Sequence, residues 1–165
     1  MPSTKMLDAA GNTTELRQYT TTSLTGGYQA TDYTYDRLNQ LVRTVDSVGN
    51  TWTATYDPRG RATQTTDPDS GTTSSTYDDA GQVLTVTDGR PQTIAYAYDN
   101  LGRKTDAYLT SVGGTHLDSW VYDTLAKGQL TLATEWSGTT PYVSKVTGYD
   151  DAYRPLVLRS SMSAL

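Results

Sequence analysis

The stretch TYDPRGRATQTTDPDSGTT, Thr55 to Thr73, decides the fold. Its Tyr-Asp pair returns 21 residues later in TYDDAGQVLTVTDG, and the chain carries six such pairs: Tyr35-Asp36, Tyr56-Asp57, Tyr77-Asp78, Tyr98-Asp99, Tyr122-Asp123 and Tyr149-Asp150. The first three gaps are 21 residues and the last two are 24 and 27, so uniform units give way to units with short insertions. Three residues past the Asp stand Asn39, Gly60, Gly81 and Gly102 in the regular units. Asp opening and Gly closing is the preferred chemistry of a type I turn. Asn is the usual substitute where the backbone is left-handed. The position therefore calls for positive φ, in a turn closed by a bulge. The six Tyr-Asp pairs and these four residues are read as structural turn positions.

A second turn signal falls half a unit later, in VDSVGNT (Val45–Thr51), TDPDSGT (Thr66–Thr72) and TDGRPQT (Thr87–Thr93). Two turns in 21 residues leave room for two strands of ordinary length, about six residues each. Each repeat thus reads as one hairpin, and the chain as an all-β, antiparallel meander of tandem hairpins forming a curved strip. The strand entering each pair alternates with period 2: Trp52, Ala54 and Tyr56 share a face, as do Ile94, Tyr96 and Tyr98, and Trp120 and Tyr122. The opposite face is small or hydroxylated, with Thr53, Thr55, Ser74, Thr76, Ala95 and Ala97. The returning strands, QLVRTVD and QVLTVTD, place apolar residues on both faces, and their inside is not assignable from pattern. The organisation reads as a degenerate repeat and lead-in hairpin over 1–34, four repeat units over 35–121 and two irregular units over 122–165. DAAGNTT (Asp8–Thr14) reads as a worn copy of the second turn.

Composition narrows the function. Only 35% of the 165 residues are hydrophobic, Phe is absent, and there are 13 Tyr and 3 Trp, which predicts a thin, tyrosine-rich interior. The formal charge is −5 with no basic cluster, which argues against nucleic acid as partner. No apolar run approaches the ~20 residues of a membrane span, and the N-terminus MPSTKMLDAAGNT shows no hydrophobic signal core. Cysteine is absent, so no disulfide framework exists.

The runs YDRLNQLVRTVDSVGNT, YDPRGRATQTTDPDSGT, YDDAGQVLTVTDG and YDNLGRK, in register at 21 residues, resemble the YD repeats of the RHS family, and YDTLAKGQL and GYDDAYRPL resemble its irregular units. The family includes bacterial polymorphic toxins, the shells of insecticidal toxin complexes, and teneurins. The resemblance implies a β-strip that coils into a hollow shell around a toxic C-terminal segment. It implies a secreted or cell-surface location as part of a longer protein, with the rest of that chain and its enclosed toxin as partners. No cofactor is expected. The family's closing core and cargo have no counterpart here: DPRG at Asp57–Gly60 is followed by Arg61 and sits in register as an ordinary repeat. No catalytic residue is carried over. Open strand edges are expected to promote self-association.

Four features invite chemistry. His116 lies near Asp118 and Ser119, but three residues so close in a predicted hairpin insertion cannot form a triad, and an exposed loop histidine is expected. Asp67–Gly71 has the alternating acids of a calcium loop without the distal ligands, and a plain turn is expected. The row of Tyr-Asp carboxylates reads as turn caps rather than paired catalytic acids. Trp52, Tyr96 and Trp120 are candidates for stacking on a surface glycan, which makes a carbohydrate- or cell-surface-binding module the alternative to a shell. Tyr153 occupies the Gly position of the last unit, and a different turn is expected there.

Overall fold

The computed structural model describes residues 1–24 and 26–162; the last residues of the second irregular unit, 163–165, lie outside them. The chain is all β. Its strands are β1 (Ser3–Leu7), β2 (Thr13–Tyr19), β3 (Tyr28–Tyr35), β4 (Leu41–Val45), β5 (Thr51–Tyr56), β6 (Ala62–Asp67), β7 (Gly71–Tyr77), β8 (Val83–Thr87), β9 (Thr93–Tyr98), β10 (Lys104–Leu109), β11 (Thr115–Tyr122), β12 (Leu130–Ser137), β13 (Thr140–Val146) and β14 (Leu158–Met162). Within each of its two units, sheet order equals chain order. Two compact units divide the chain: Met1–Ser75 with Asp88–Arg90, and Thr76–Thr87 with Pro91–Leu165. No helix among the described residues is long and apolar enough to cross a membrane.

In the first unit, antiparallel ladders join β1 to β2 and continue pairwise to β7. In the second, they join β8 to β9 and continue pairwise to β14. The hairpins around the Tyr-Asp turns carry a register shift beside the Tyr: Thr34 faces Arg43 but Tyr35 faces Leu41, and Thr55 faces Gln64 but Tyr56 faces Ala62. One residue of the returning strand, Val42 or Thr63, is passed over. A bulge of this kind flips every later side chain to the other face. That is why the returning strands seem apolar on both faces when read at strict period 2.

The interior is thin. Among the described residues the buried apolar side chains are Tyr19, Ala95, Ala107, Pro141 and Val146, and no large side chain is fully buried. Backbone ladders, turn caps and cross-strand contacts therefore carry more of the stability than an oily core does.

Candidate functional site: the turn row and the aromatic face

The Tyr-Asp turns share one geometry. At Asp57 the backbone N–H donates to the Arg61 carbonyl (2.9 Å) while the Gly60 N–H donates to the Asp57 carbonyl (2.9 Å). The Asp57 carboxylate then accepts the N–H groups of Arg59 (2.9 Å) and Arg61 (3.0 Å). Asp36, Asp99 and Asp150 repeat the whole set with Leu38 and Gln40, with Leu101 and Arg103, and with Ala152 and Arg154; Asp78 repeats the backbone pair and caps Gln82. Asn39, Gly60, Gly81 and Gly102 have φ of 59°, 81°, 92° and 80°. Valine at Gly81 would force a β-branched side chain into this left-handed conformation, which costs about 1–2 kcal/mol for an unbranched residue and more for a branched one. Gly81→Val is expected to lower the melting temperature clearly and Gly81→Asn only slightly; equal melting of the two would dissolve the turn assignment.

Three expectations are corrected here. The final turn is not built differently: Tyr153 takes φ 58° and its N–H donates to the Asp150 carbonyl (2.9 Å), so the carboxylate cap suffices to hold a bulky residue left-handed. The Asp8 turn links β1 to β2 and lies on the Tyr-Asp edge rather than the second edge, since the Asn12 amide donates to the Asn39 side chain (2.9 Å). His116 is not in a loop. It sits in β11, stacked 4.5 Å from the Tyr108 ring and 4.3 Å from the Trp136 ring. Its Nε2 meets Asp106 Oδ1 at 2.8 Å, whereas Asp118 lies opposite Glu135. The pairing of β10, β11 and β12 brings these side chains together from three strands, which no local window reveals. The fifth pair is wider at Asp123, whose N–H reaches Gln129 and whose carboxylate caps Gly128.

A fifth turn position is missing from the sequence reading. Arg61, Arg103 and Arg154 each return Nε to the Asp four residues earlier, at 2.6, 2.7 and 2.7 Å. Arg103 also grips Asp123 of the next turn and lies 4.4 Å over the Tyr122 ring. These donors hold the turn carboxylates below the usual Asp range, with the backbone N–H of the fifth residue the larger influence at Asp57, Asp99 and Asp150. At Asp123 the Arg103 guanidinium leads and the carboxyl falls to about 2.

Four of the Tyr-Asp tyrosines fasten their hairpin to the one before it. The β4–β5 ladder ends at Arg43–Thr53, leaving the Leu41 carbonyl beyond it, and the Tyr56 hydroxyl donates there at 2.9 Å. Tyr98 does the same for Val83 (2.8 Å), Tyr122 for Lys104 (3.0 Å) and Tyr149 for Leu130. Each of these carbonyls lies two residues before the end of its ladder. Burial pushes the Tyr98 hydroxyl pKa up. Tyr98→Phe should cost about 1 kcal/mol, the net value of one such bond, read as a fall in unfolding midpoint; a variant as stable as the parent would remove this role. Tyr35 and Tyr77 close β3 and β7 in the equivalent places.

The aromatic face is uneven. Trp52 lies in β5 with its indole N–H on Asp67 Oδ2 (2.8 Å). Tyr96 in β9 is covered by the Lys104 ammonium, 3.7 Å from its centroid, and the same ammonium lies 6.0 Å from Trp120 in β11. Asp67 Oδ1 accepts the N–H groups of Asp69 (2.8 Å) and Ser70 (2.9 Å), so its oxygens serve a turn cap. Among the described residues no group of three His, Cys, Asp or Glu side chains is placed to hold a metal ion.

An array of carboxylate-capped hairpins, four of them pinned to the preceding one by a tyrosine hydroxyl, defines a YD-repeat β-sheet protein. The teneurin YD-shell family model matches residues 6–140, and the chain belongs to that family. It is thus a segment of shell type. Among solved structures it is similar to the Photorhabdus luminescens Tc holotoxin pore, at 15% identity and a TM-score of 0.82 over 98% of this chain and 8% of that one. It is also similar to the crystal structures of TcdB2-TccC3 (16%, 0.82) and TcdB2-TccC3-TEV (17%, 0.81), each over 98% of this chain and 9% of the other. At these identities the likeness is one of fold, and the chain spans less than a tenth of the length of those chains. No curated protein matches it by sequence.

Proposed function

We propose that the chain is a non-catalytic wall segment of a secreted or cell-surface YD-repeat shell, part of a longer polypeptide that encloses or presents a toxin or another polypeptide. In this reading residues 35–121 are the regular wall, 1–34 its lead-in and 122–165 the stretch where units lengthen. The observation that carries the reading is the recurrence of one cap and one tyrosine bond from unit to unit, a design that extends a sheet instead of assembling a cleft. Its action is steric. A continuous hydrogen-bonded sheet leaves few unsatisfied backbone groups and admits no protease loop.

The test is limited proteolysis of the full-length polypeptide from the source. The expected result is a segment outside this chain that resists protease until the wall is breached, and that becomes accessible when Gly60 and Gly81 are both replaced by Val. A mature product no longer than this segment, or a partner equally accessible before and after the breach, would overturn the proposal.

A further inference from the structure

Trp52, Ala54 and Tyr56 lie along one face of β5, with the Cα atoms of Trp52 and Tyr56 about 13 Å apart at four strand residues. Both rings are fixed, the indole by Asp67 and the phenol by the Leu41 carbonyl. Ala54 between them keeps the floor low, and a slot of about 320 Å³ opens there. Thr44 stands opposite Trp52 on β4, and Thr65 stands opposite Ala54 on β6, so hydroxyls border the slot on both sides. Its volume is at the lower end of the range for small-ligand sites, about 300–1,000 Å³. At β9 and β11 the corresponding place is filled by the chain's own Tyr96 and Trp120, under Lys104. Of the three aromatic residues offered by the sequence for stacking, Trp52 lines this slot.

We infer that this slot takes one pyranose ring of a neutral sugar. A pyranose presents a face of C–H groups bearing slight positive charge, which matches the negative face of a fixed indole. Its equatorial hydroxyls extend sideways, toward Thr44 and Thr65. The Asp67 carboxylate at the edge of the slot accepts three neutral donors, from Trp52, Asp69 and Ser70, and keeps its charge, so a small cation is the rival guest that the test has to exclude. A peptide cannot add here as a strand, since β5 is paired on both edges, with β4 and with β6. The inference stands apart from the shell reading, as the slot lies within one hairpin pair.

The experiment is a titration of the whole chain with glucose, galactose and N-acetylglucosamine, and separately with tetramethylammonium, following tryptophan fluorescence. One or more sugars should give a saturable change with a Kd near 1–10 mM, about the affinity of a single small-ligand contact surface. Ala54→Leu, which fills the slot, should abolish the change while retaining the parent's circular dichroism. Trp136→Phe should retain the change. If Ala54→Leu fails to fold, Thr44→Val with Thr65→Val replaces it and should weaken the sugar at least tenfold. No saturable change with any of the sugars, a change that persists in the filled slot, or a response to the ammonium ion alone would each overturn the inference.

Discussion

Replacing Gly89 by Ala should lower the melting temperature by roughly 2 to 12 °C, from an overpacking cost of about 1–3 kcal/mol at 2–4 °C for each kcal/mol. A Cβ at Gly89 would come within 3 Å of the Ser70 carbonyl oxygen and crowd the Gly71 Cα, both backbone atoms. A side chain could swing away; a carbonyl already held in a neighbouring turn cannot. The appropriate comparison is Gly49→Ala. Gly49 has φ 94° but nothing within 4 Å of its would-be Cβ, so it loses only the backbone term, about 1 kcal/mol. Thermal unfolding followed by circular dichroism decides the matter. If the two variants melt together, the close approach of the Ser70 and Gly89 turns is not a constraint on the fold.

The second large effect is expected in acid. Asp8, Asp57, Asp67, Asp99, Asp123 and Asp150 are all held below the ordinary Asp pKa. The leading causes are the Asn12 amide for Asp8, the Ser70 N–H for Asp67, the N–H of Arg61, Arg103 or Arg154 for three turns, and the Arg103 guanidinium for Asp123. A carboxylate whose folded pKa is depressed binds its proton more readily when unfolded. Its stabilisation is therefore complete above the unfolded value, about 3.9, and disappears as pH falls through the folded one. With Asp123 near 2, the loss should fall between about pH 4 and pH 2. The melting temperature should be level above this window and drop steeply inside it, with a shallower drop in Asp99→Asn. A flat profile through the window would show that the caps contribute little.

What the sequence could reveal follows from which contacts are local. An Asp capping its own turn and a left-handed residue three places later are events within five residues, so Tyr56 to Gly60 announces its hairpin in one dimension. The tyrosine hydroxyl is different, because Tyr56 reaches a carbonyl 15 residues away that is fixed only once the ladder stops at Arg43. Strict alternation failed on the returning strands because one bulged residue, such as Val42, shifts the phase without leaving a mark in composition. His116 was misplaced for a related reason: its partners Tyr108 and Trp136 are brought to it by pairing, not by spacing. Tyr153 shows the limit of residue preference, since a well-made cap overrides the penalty that Gly normally avoids.

The tyrosine bond also bears on how such a gene can change. Tyr56 reaches Leu41 and Tyr98 reaches Val83, in both cases 15 residues back and never farther than the adjoining hairpin. A duplicated or deleted 21-residue block would leave every remaining tyrosine with an equivalent carbonyl to meet. Unequal recombination can therefore alter copy number without breaking a single fastening, and the length of the product is free to drift while its local chemistry stays constant.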